Sequence, residues 1–443
     1  MKDTCCAGCP GGHLSRRDFL SVGSLGFLGL SLGQYLQLSS AFARGGATGG
    51  GKATSCILVW LEGGPSQMDT WDPKSNSSFK PISTNVPGIQ ISELMPNVAK
   101  HMDKLSIIRS MHTEENGHSE GSYYAQTGHR PSTAIDFPSI GSIVSKELGA
   151  ECTMPPYVVM HLPSERFKEG IRSGFLGSAF NPMHVPDPNK EGFSLQDLTL
   201  PKSISADLIE HRQSFLKVVG RTYREKAKIA EFTDMDAVSQ KALTMLLSPE
   251  VERAFDLGQE SEKIRDTYGR TRTGQSMLLA RRLVEAGCKF VTADAYRHNH
   301  WDTHATNDKS MREDLVPPLD QSLAALMEDL KQRGLFESTI VLVMGEFGRT
   351  PEINADQGRD HWADCWSLVV GGGGIAGGRV VGSSDERAAY VSDRMVTIGD
   401  LFATIYTALG IDYTKTYLAP GNRPVYIANS IGDKLGEPIK ELL

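Results

Sequence analysis

The sequence predicts an α/β fold, a doubly wound and mostly parallel sheet sandwiched by helices. Three observations lead there. Short unbroken apolar runs recur along the chain, each bounded by turn residues, as strands buried on both faces require. Helical patterns alternate with them. Acidic residues and histidines gather just after the runs, where sheets of this kind bind their ligands.

Composition sets the outer bounds. A chain of 443 residues, 40% hydrophobic and 22% charged, is an ordered globule rather than a stapled module or a disordered segment. With 46 Lys and Arg against 53 Asp and Glu, the net charge of −7 excludes a global basic field, so nucleic acid is not an expected partner.

Residues 1–43 read as an export signal. Arg16 and Arg17 lie in SRRDFL, a match to the twin-arginine box, a Gly-rich apolar stretch runs from Phe19 to Leu38, and Ala41-Phe42-Ala43 offers the small-x-small cleavage pattern. That stretch is too short and interrupted for a stable span, so no membrane span is expected after cleavage. The mature protein is placed in the periplasm, in the cell envelope or outside the cell. Residues 44–54 are a Gly-rich tether, and residues 55–443 form the domain, with a charged helical insertion at 203–268 that caps the sheet. Cys5, Cys6 and Cys9 fall in the signal, while Cys56, Cys152, Cys288 and Cys365 sit in or beside apolar runs and read as buried free thiols.

The predicted strands are 56–61, 104–111, 156–162, 288–294, 338–345 and 367–372. Leu319, Leu323, Leu326 and Leu330 define one helix face, with Pro317 and Pro318 at its start and Gly334 beyond its end. Residues 273–286 form another helix, closed by Gly287.

After the first run come Glu62, Ser66, Asp69 and Asp72, and after the second His112, His118, Ser119, Glu120 and His129. The run at 288–294 leads to His298, His300, Asp302 and His304, and the run at 338–345 to Glu346 and Arg349, with Asp360 and His361 further on. Carboxylates and imidazoles without thiolates are the ligand set of hydrolytic Zn, Mn, Mg or Ca centres. Asp302 and His304, two apart, share a face if the backbone is extended. Asp294 and His298, four apart, are a competing pair suited to a helical turn.

ALMEDLKQRGLFESTIVLVMGEFGRTP resembles the helix, strand and metal-loop unit of the alkaline phosphatase and sulfatase superfamily. Together with GGPSQMDTWDPK, HSEGSYYAQTGHRP, WDTH and GRDHW, it resembles domain-of-unknown-function family 1501, usually grouped in that superfamily. The resemblance implies an alkaline phosphatase-like fold and one or two divalent metal ions beside a nucleophile at a helix N-terminus. It implies Glu346 as the acidic ligand after its strand, although relatives carry Asp-His or Asp-Asn there. It further implies Asp302 and His304 at the other site, His361 as the distal imidazole and Glu62 as the ligand after the first strand. Counting back from Thr127-Gly128 puts the nucleophile at His118 or Ser119, and the absence of C-x-P-S-R argues against formylglycine chemistry.

The expected chemistry is metal-dependent hydrolysis of a phosphate or sulfate ester, on a small molecule or a polysaccharide. Ser119 would gain from the dipole of the SEGSYYAQ helix, His118 would serve as ligand, base or acid, and Arg349 would clamp an oxyanion. Plainer roles stand beside these: Ser119 as an N-cap, Arg349 paired with Asp360 or Asp356, and Asp69 and Asp72 as turn formers. Trp71, Tyr123, Tyr124, Trp301 and Trp362 read as core or as the lining of a sugar cleft. The alternative function is a degenerate member that binds glycans in the envelope.

Overall fold

Every residue of β1 (Ser55–Trp60) is buried, because its two faces feed two cores. Ile57 and Val59 enter one apolar cluster, and Cys56, Leu58 and Trp60 the other. The strand is thus a continuous apolar run with no solvent face. The computed structural model describes residues 51–149, 153–160, 169–193, 248–295 and 301–443.

The strands that follow in the main sheet are β2 (Leu105–Met111), β3 (Tyr157–Met160), β4 (Met183–Val185), β5 (Phe290–Asp294), β6 (Thr339–Met344), β7 (Trp366–Gly372) and β8 (Val380–Val381). They lie in the order β8-β2-β7-β6-β1-β5-β3-β4. Each of the six apolar runs holds one of these strands. The other two, β4 and β8, are too short to register as apolar runs. All neighbours pair in parallel except β7, which runs antiparallel to both β2 and β6. No crossover helix separates β6 from β7, so the chain turns back at the edge where β6 ends. This reversal deposits residues 345–365 on the same edge as the carboxyl ends of the parallel strands.

The helices are α1 (His118–Thr127), α2 (Ile140–Leu148), α3 (Pro249–Phe255), α4 (Glu262–Tyr268), α5 (Arg272–Glu285), α6 (Val316–Gln332) and α7 (Ile398–Ala408). Leu278 and Leu283 of α5 and Leu319 and Leu323 of α6 pack with Ile57 and Val59. Ile140 and Ile143 of α2 and Leu401 and Phe402 of α7 pack with Leu58 on the opposite face. Leu319, Leu323, Leu326 and Leu330 are each fully buried, at about 1.5–3 kcal/mol apiece. Pro317 and Pro318 occupy the first turn of α6, where the missing N–H groups cost no helical bond. Helix α7 opens with a capping box between Thr397 and Asp400.

Of the expected insertion at 203–268, residues 248–268 carry α3 and α4, and 203–247 lie outside the described residues, as does the signal segment. At the end of the Gly-rich stretch, Ala53 N–H donates to the Ala408 carbonyl at 3.0 Å and Thr54 N–H to the Ser338 carbonyl at 2.8 Å. Cys56 and Cys365 are free, buried thiols, as expected, Cys288 is buried, and Cys152 is outside the described residues. Burial pushes the Cys365 thiol up to about 12 and raises Cys56 further.

His129, just beyond α1, is 7% exposed and stacks on Phe137 with ring centroids 3.9 Å apart. Burial pulls its pKa from 6.5 down to about 4, against a weaker upward pull from the Asp433 charge. The folded chain therefore binds fewer protons than the unfolded one between those values. The resulting stability is complete above about pH 6.5 and lost as pH falls towards 4, about 3 kcal/mol in all. His129→Asn is expected to flatten that part of the curve in denaturant titrations at stepped pH. An unchanged acid slope would count against this.

Candidate metal centre

Three segments reach the carboxyl edge of the sheet and bring His118, Asp302, His304 and His361 together. Their ligand atoms all lie within 4.8 Å of one another. The chain leaves β2, turns, and starts α1 with His118 as its first residue, Gly117 being the N-cap. Beyond β5 the chain passes through Trp301 to Asp302 and His304. There the backbone is not helical, so Thr303 alone turns away and the two ligands share a side. Beyond β6, Gly348–Arg349 pairs antiparallel with His361–Trp362, with Arg349 opposite His361.

The Asp302 carboxylate is the hub. Its Oδ2 lies 3.0 Å from His118 Nε2, and its Oδ1 lies 3.1 Å from His304 Nε2 and 3.2 Å from His361 Nε2. Each imidazole turns its other nitrogen to an acceptor. His118 Nδ1 is 2.8 Å from Glu346 Oε1, His304 Nδ1 is 2.6 Å from Asp360 Oδ1, and His361 Nδ1 is 2.6 Å from the Asn116 carbonyl. Such partners favour a ring proton on Nδ1 and aim Nε2 inward, where a bound metal would take the place of the proton that His118 and His361 share with Asp302, as in histidines that ligate metals. His304 Nε2 and His361 Nε2 then face each other at 2.9 Å. At that distance the two nitrogens share either a proton or a cation.

Three imidazoles and one carboxylate suit a borderline divalent ion such as Zn. Mg and Ca prefer oxygen donors throughout. His304, with its side chain 45% exposed, opens the cluster to solvent, while His118 at 8% closes it from behind. The fully buried Phe347 ring backs both His118 and His361, at centroid distances of 5.3 and 4.6 Å.

Electrostatics follow from this packing. Burial alone would raise Asp302, but hydrogen bonds from His118, His361 and Arg349 hold its carboxyl well below the usual carboxylate range. Burial draws His118 down, yet its bonds to Asp302 and Glu346 win and raise it to about 9. Burial, then the charges of Glu346 and Asp294, push Glu62 up to about 8.

Several expected roles change. Glu62 and Glu346 are not members of the four-residue cluster. Glu346 is fully buried and accepts both Gly63 N–H, at 3.0 and 3.2 Å, and His118 Nδ1, so it orients a ligand. Gly63 enables this approach: its φ is +114°, and a Cβ there would sit 2.5 Å from the Asp302 nitrogen. Glu62 is buried beside Glu346, whose charge with burial favours its neutral form. Arg349, expected as an oxyanion clamp, is fully buried. Its Nε donates to the Gly64 carbonyl at 2.8 Å, Nη1 to the Arg359 carbonyl at 3.0 Å and Nη2 to Asp302 at 2.7 Å. It therefore fixes Asp302, not Asp360 or Asp356. Ser119 is the second residue of α1, half-buried, and does not cap the helix.

The competing Asp294 pairs with Arg272 at 2.6 Å, and His298 and His300 lie outside the described residues. Trp71, Tyr123 and Trp301 are buried core residues, whereas Tyr124, also buried, lines a surface pocket together with His129 and Arg130. Ser66 donates to Asp69 at 2.7 Å. Two supports escaped the sequence reading. Asp360 was visible as a neighbour of His361 in GRDHW but was assigned to Arg349. The Asn116 carbonyl is backbone and leaves no residue-type signal.

Comparison with known proteins places this geometry in context. The family described as Protein of unknown function (DUF1501) matches residues 53–443. No curated protein matches the chain. Among solved structures, Ps i-CgsB in complex with k-i-k-neocarrahexaose is 11% identical with a TM-score of 0.40, covering 81% of this chain and 72% of that one. A protein in the alkaline phosphatase superfamily from Vibrio parahaemolyticus is 13% identical, with a TM-score of 0.40 and coverage of 83% and 68%. The PsFucS1 sulfatase from Pseudoalteromonas sp. is also 13% identical, with a TM-score of 0.40 and coverage of 81% and 68%.

Gly358 packs so closely on the loop that a Cβ there would lie 1.9 Å from the His304 carbonyl oxygen. Gly358→Ala is expected to move His304 and weaken Zn binding about tenfold or more, a size typical of disturbed ligand support. Calorimetric titration of the metal-stripped protein checks this. Binding as tight as the parent's would show that His304 is not a ligand.

Proposed function

We propose that this chain, which belongs to the DUF1501 family of proteins of unknown function, is an exported metal-dependent hydrolase of phosphate or sulfate esters. One observation carries the reading: three imidazole Nε2 atoms converge on the Asp302 carboxylate, each with its Nδ1 already engaged. His118, Asp302, His304 and His361 would hold the ion. When bound, it supplies Lewis-acid polarisation of a phosphoryl or sulfuryl oxygen.

The remaining tasks fall to the chain. Glu346, Asp360 and the Asn116 carbonyl hold the protons of the three rings at Nδ1 and keep Nε2 free. Arg349 holds Asp302 ionised and in place. Phe347 shuts water out behind His118 and His361, so substrate approaches from the exposed His304 side. Ser119, in the first turn of α1, is the candidate nucleophile, since the helix N-terminus favours an anion there.

Export is inferred from the Arg16-Arg17 signal, and among the described residues no helix is long and apolar enough to cross a membrane. The motifs that resemble the alkaline phosphatase and sulfatase superfamily favour the choice of ester, and esters carried on polysaccharide fit the same chemistry.

The natively exported protein is expected to carry bound Zn or Mn and to turn over at least one class among aryl sulfates, aryl phosphates, phosphodiesters and sulfated polysaccharides. His361→Ala and Asp302→Ala should each lower kcat/KM about a hundredfold or more, and Ser119→Ala should separate covalent from direct hydrolysis. A metal-loaded protein silent on the whole panel would point instead to glycan binding.

A further inference from the structure

A buried ion pair lies among the loops that carry the cluster. Asp69 and Arg359 are both fully buried, with Arg359 Nε 2.9 Å from Asp69 Oδ2. Asp69 Oδ2 also accepts from Ser66 Oγ at 2.7 Å and from Asn307 Nδ2 at 3.0 Å, and Oδ1 accepts from Ser77 Oγ at 2.6 Å. The Arg359 Nη1 donates to the carbonyls of Thr350 and Pro351, at 3.0 and 2.7 Å. Such saturation is what a buried pair needs to offset its loss of hydration.

Two arms run from this pair to the ligands. Along the first, Asn307 Oδ1 accepts from Thr303 Oγ1 at 2.7 Å, and Thr303 stands between Asp302 and His304. Along the second, Arg359 immediately precedes Asp360 and His361. Its backbone joins the arms, since Arg359 N–H donates to the Thr303 carbonyl at 2.9 Å and the Arg359 carbonyl accepts Arg349 Nη1 at 3.0 Å. The segments 302–304 and 359–361, far apart in sequence, are thus pinned to one carboxylate.

We propose that Asp69 and Arg359, linked through Asn307, are positioning residues that set the distance between the two ligand-bearing segments and so determine metal affinity. This inference rests on the reading of the cluster as a metal centre. It gives the segment after β1, whose Asp69 reads from sequence as a turn former, a part in assembling the site.

The test uses the metal-stripped full mature protein titrated with Zn by calorimetry and with Co by visible absorption, alongside thermal melts. Asp69→Asn and Arg359→Lys are expected to weaken Zn binding about ten- to hundredfold and to alter the Co spectrum. Asn307→Ala, which spares the charge pair and is the milder change, should show the same direction if either of the others fails to fold. Arg281→Lys serves as the control, because Arg281 on α5 is equally buried and paired with Glu260 at 2.6 Å. It should lower the melting temperature while leaving Zn affinity and the Co spectrum as in the parent. Parent-like affinity and spectra in the brace variants overturn the proposal alone. So does a loss of affinity matched by Arg281→Lys. Failure of the parent protein to bind either ion overturns the metal centre and the brace with it.

Discussion

The structure turns on the inward aim of three imidazoles. A histidine ring has two nitrogens, and committing one to an acceptor decides what the other presents. Here a buried carboxylate, an exposed carboxylate and a backbone carbonyl do this for His118, His304 and His361 in turn. The three supports come from different parts of the chain, so the lone pairs converge only once the sheet is assembled. Burying and ionising Asp302 against them is affordable because Arg349 and the rings oppose the desolvation that would otherwise neutralise it.

Sheet topology explains why these parts meet. A parallel strand delivers its next residues to one edge, so β2, β5 and β6 feed His118, Asp302 and Glu346 to a common rim. His361 needs a different route, since it precedes its strand. Only because β7 runs antiparallel does its starting end lie at that rim. The one reversed strand is therefore part of how the site is made.

Much of this was legible in the sequence, in a graded way. Continuous apolar runs betray buried strands, and polar residues just beyond them mark the functional rim. Asp302 and His304 meet in one cluster as their spacing suggested, although the backbone makes a tight turn at Asp302, with Thr303 N–H donating to the Trp301 carbonyl, rather than staying extended. Side-chain direction was harder to read. Glu62 and Glu346 follow their strands as ligands would, but the turn at Gly63 presents an N–H to Glu346 and leaves Glu62 buried beside it. His118 is legible both as a stand-in for a nucleophile and as ligand, base or acid, and its place at the start of α1 brings it into the cluster. Asp69 and Arg359 lie 290 positions apart, and a contact at that separation leaves no periodic trace.

The sealed thiols carry a last consequence. A sulfhydryl held neutral and out of reach has neither the thiolate character nor the access that oxidation and exchange require. Cys56 and Cys365 are thus spectators to the chemistry that disulfide-forming compartments impose, and passage from a reducing to an oxidising milieu leaves both positions unaltered.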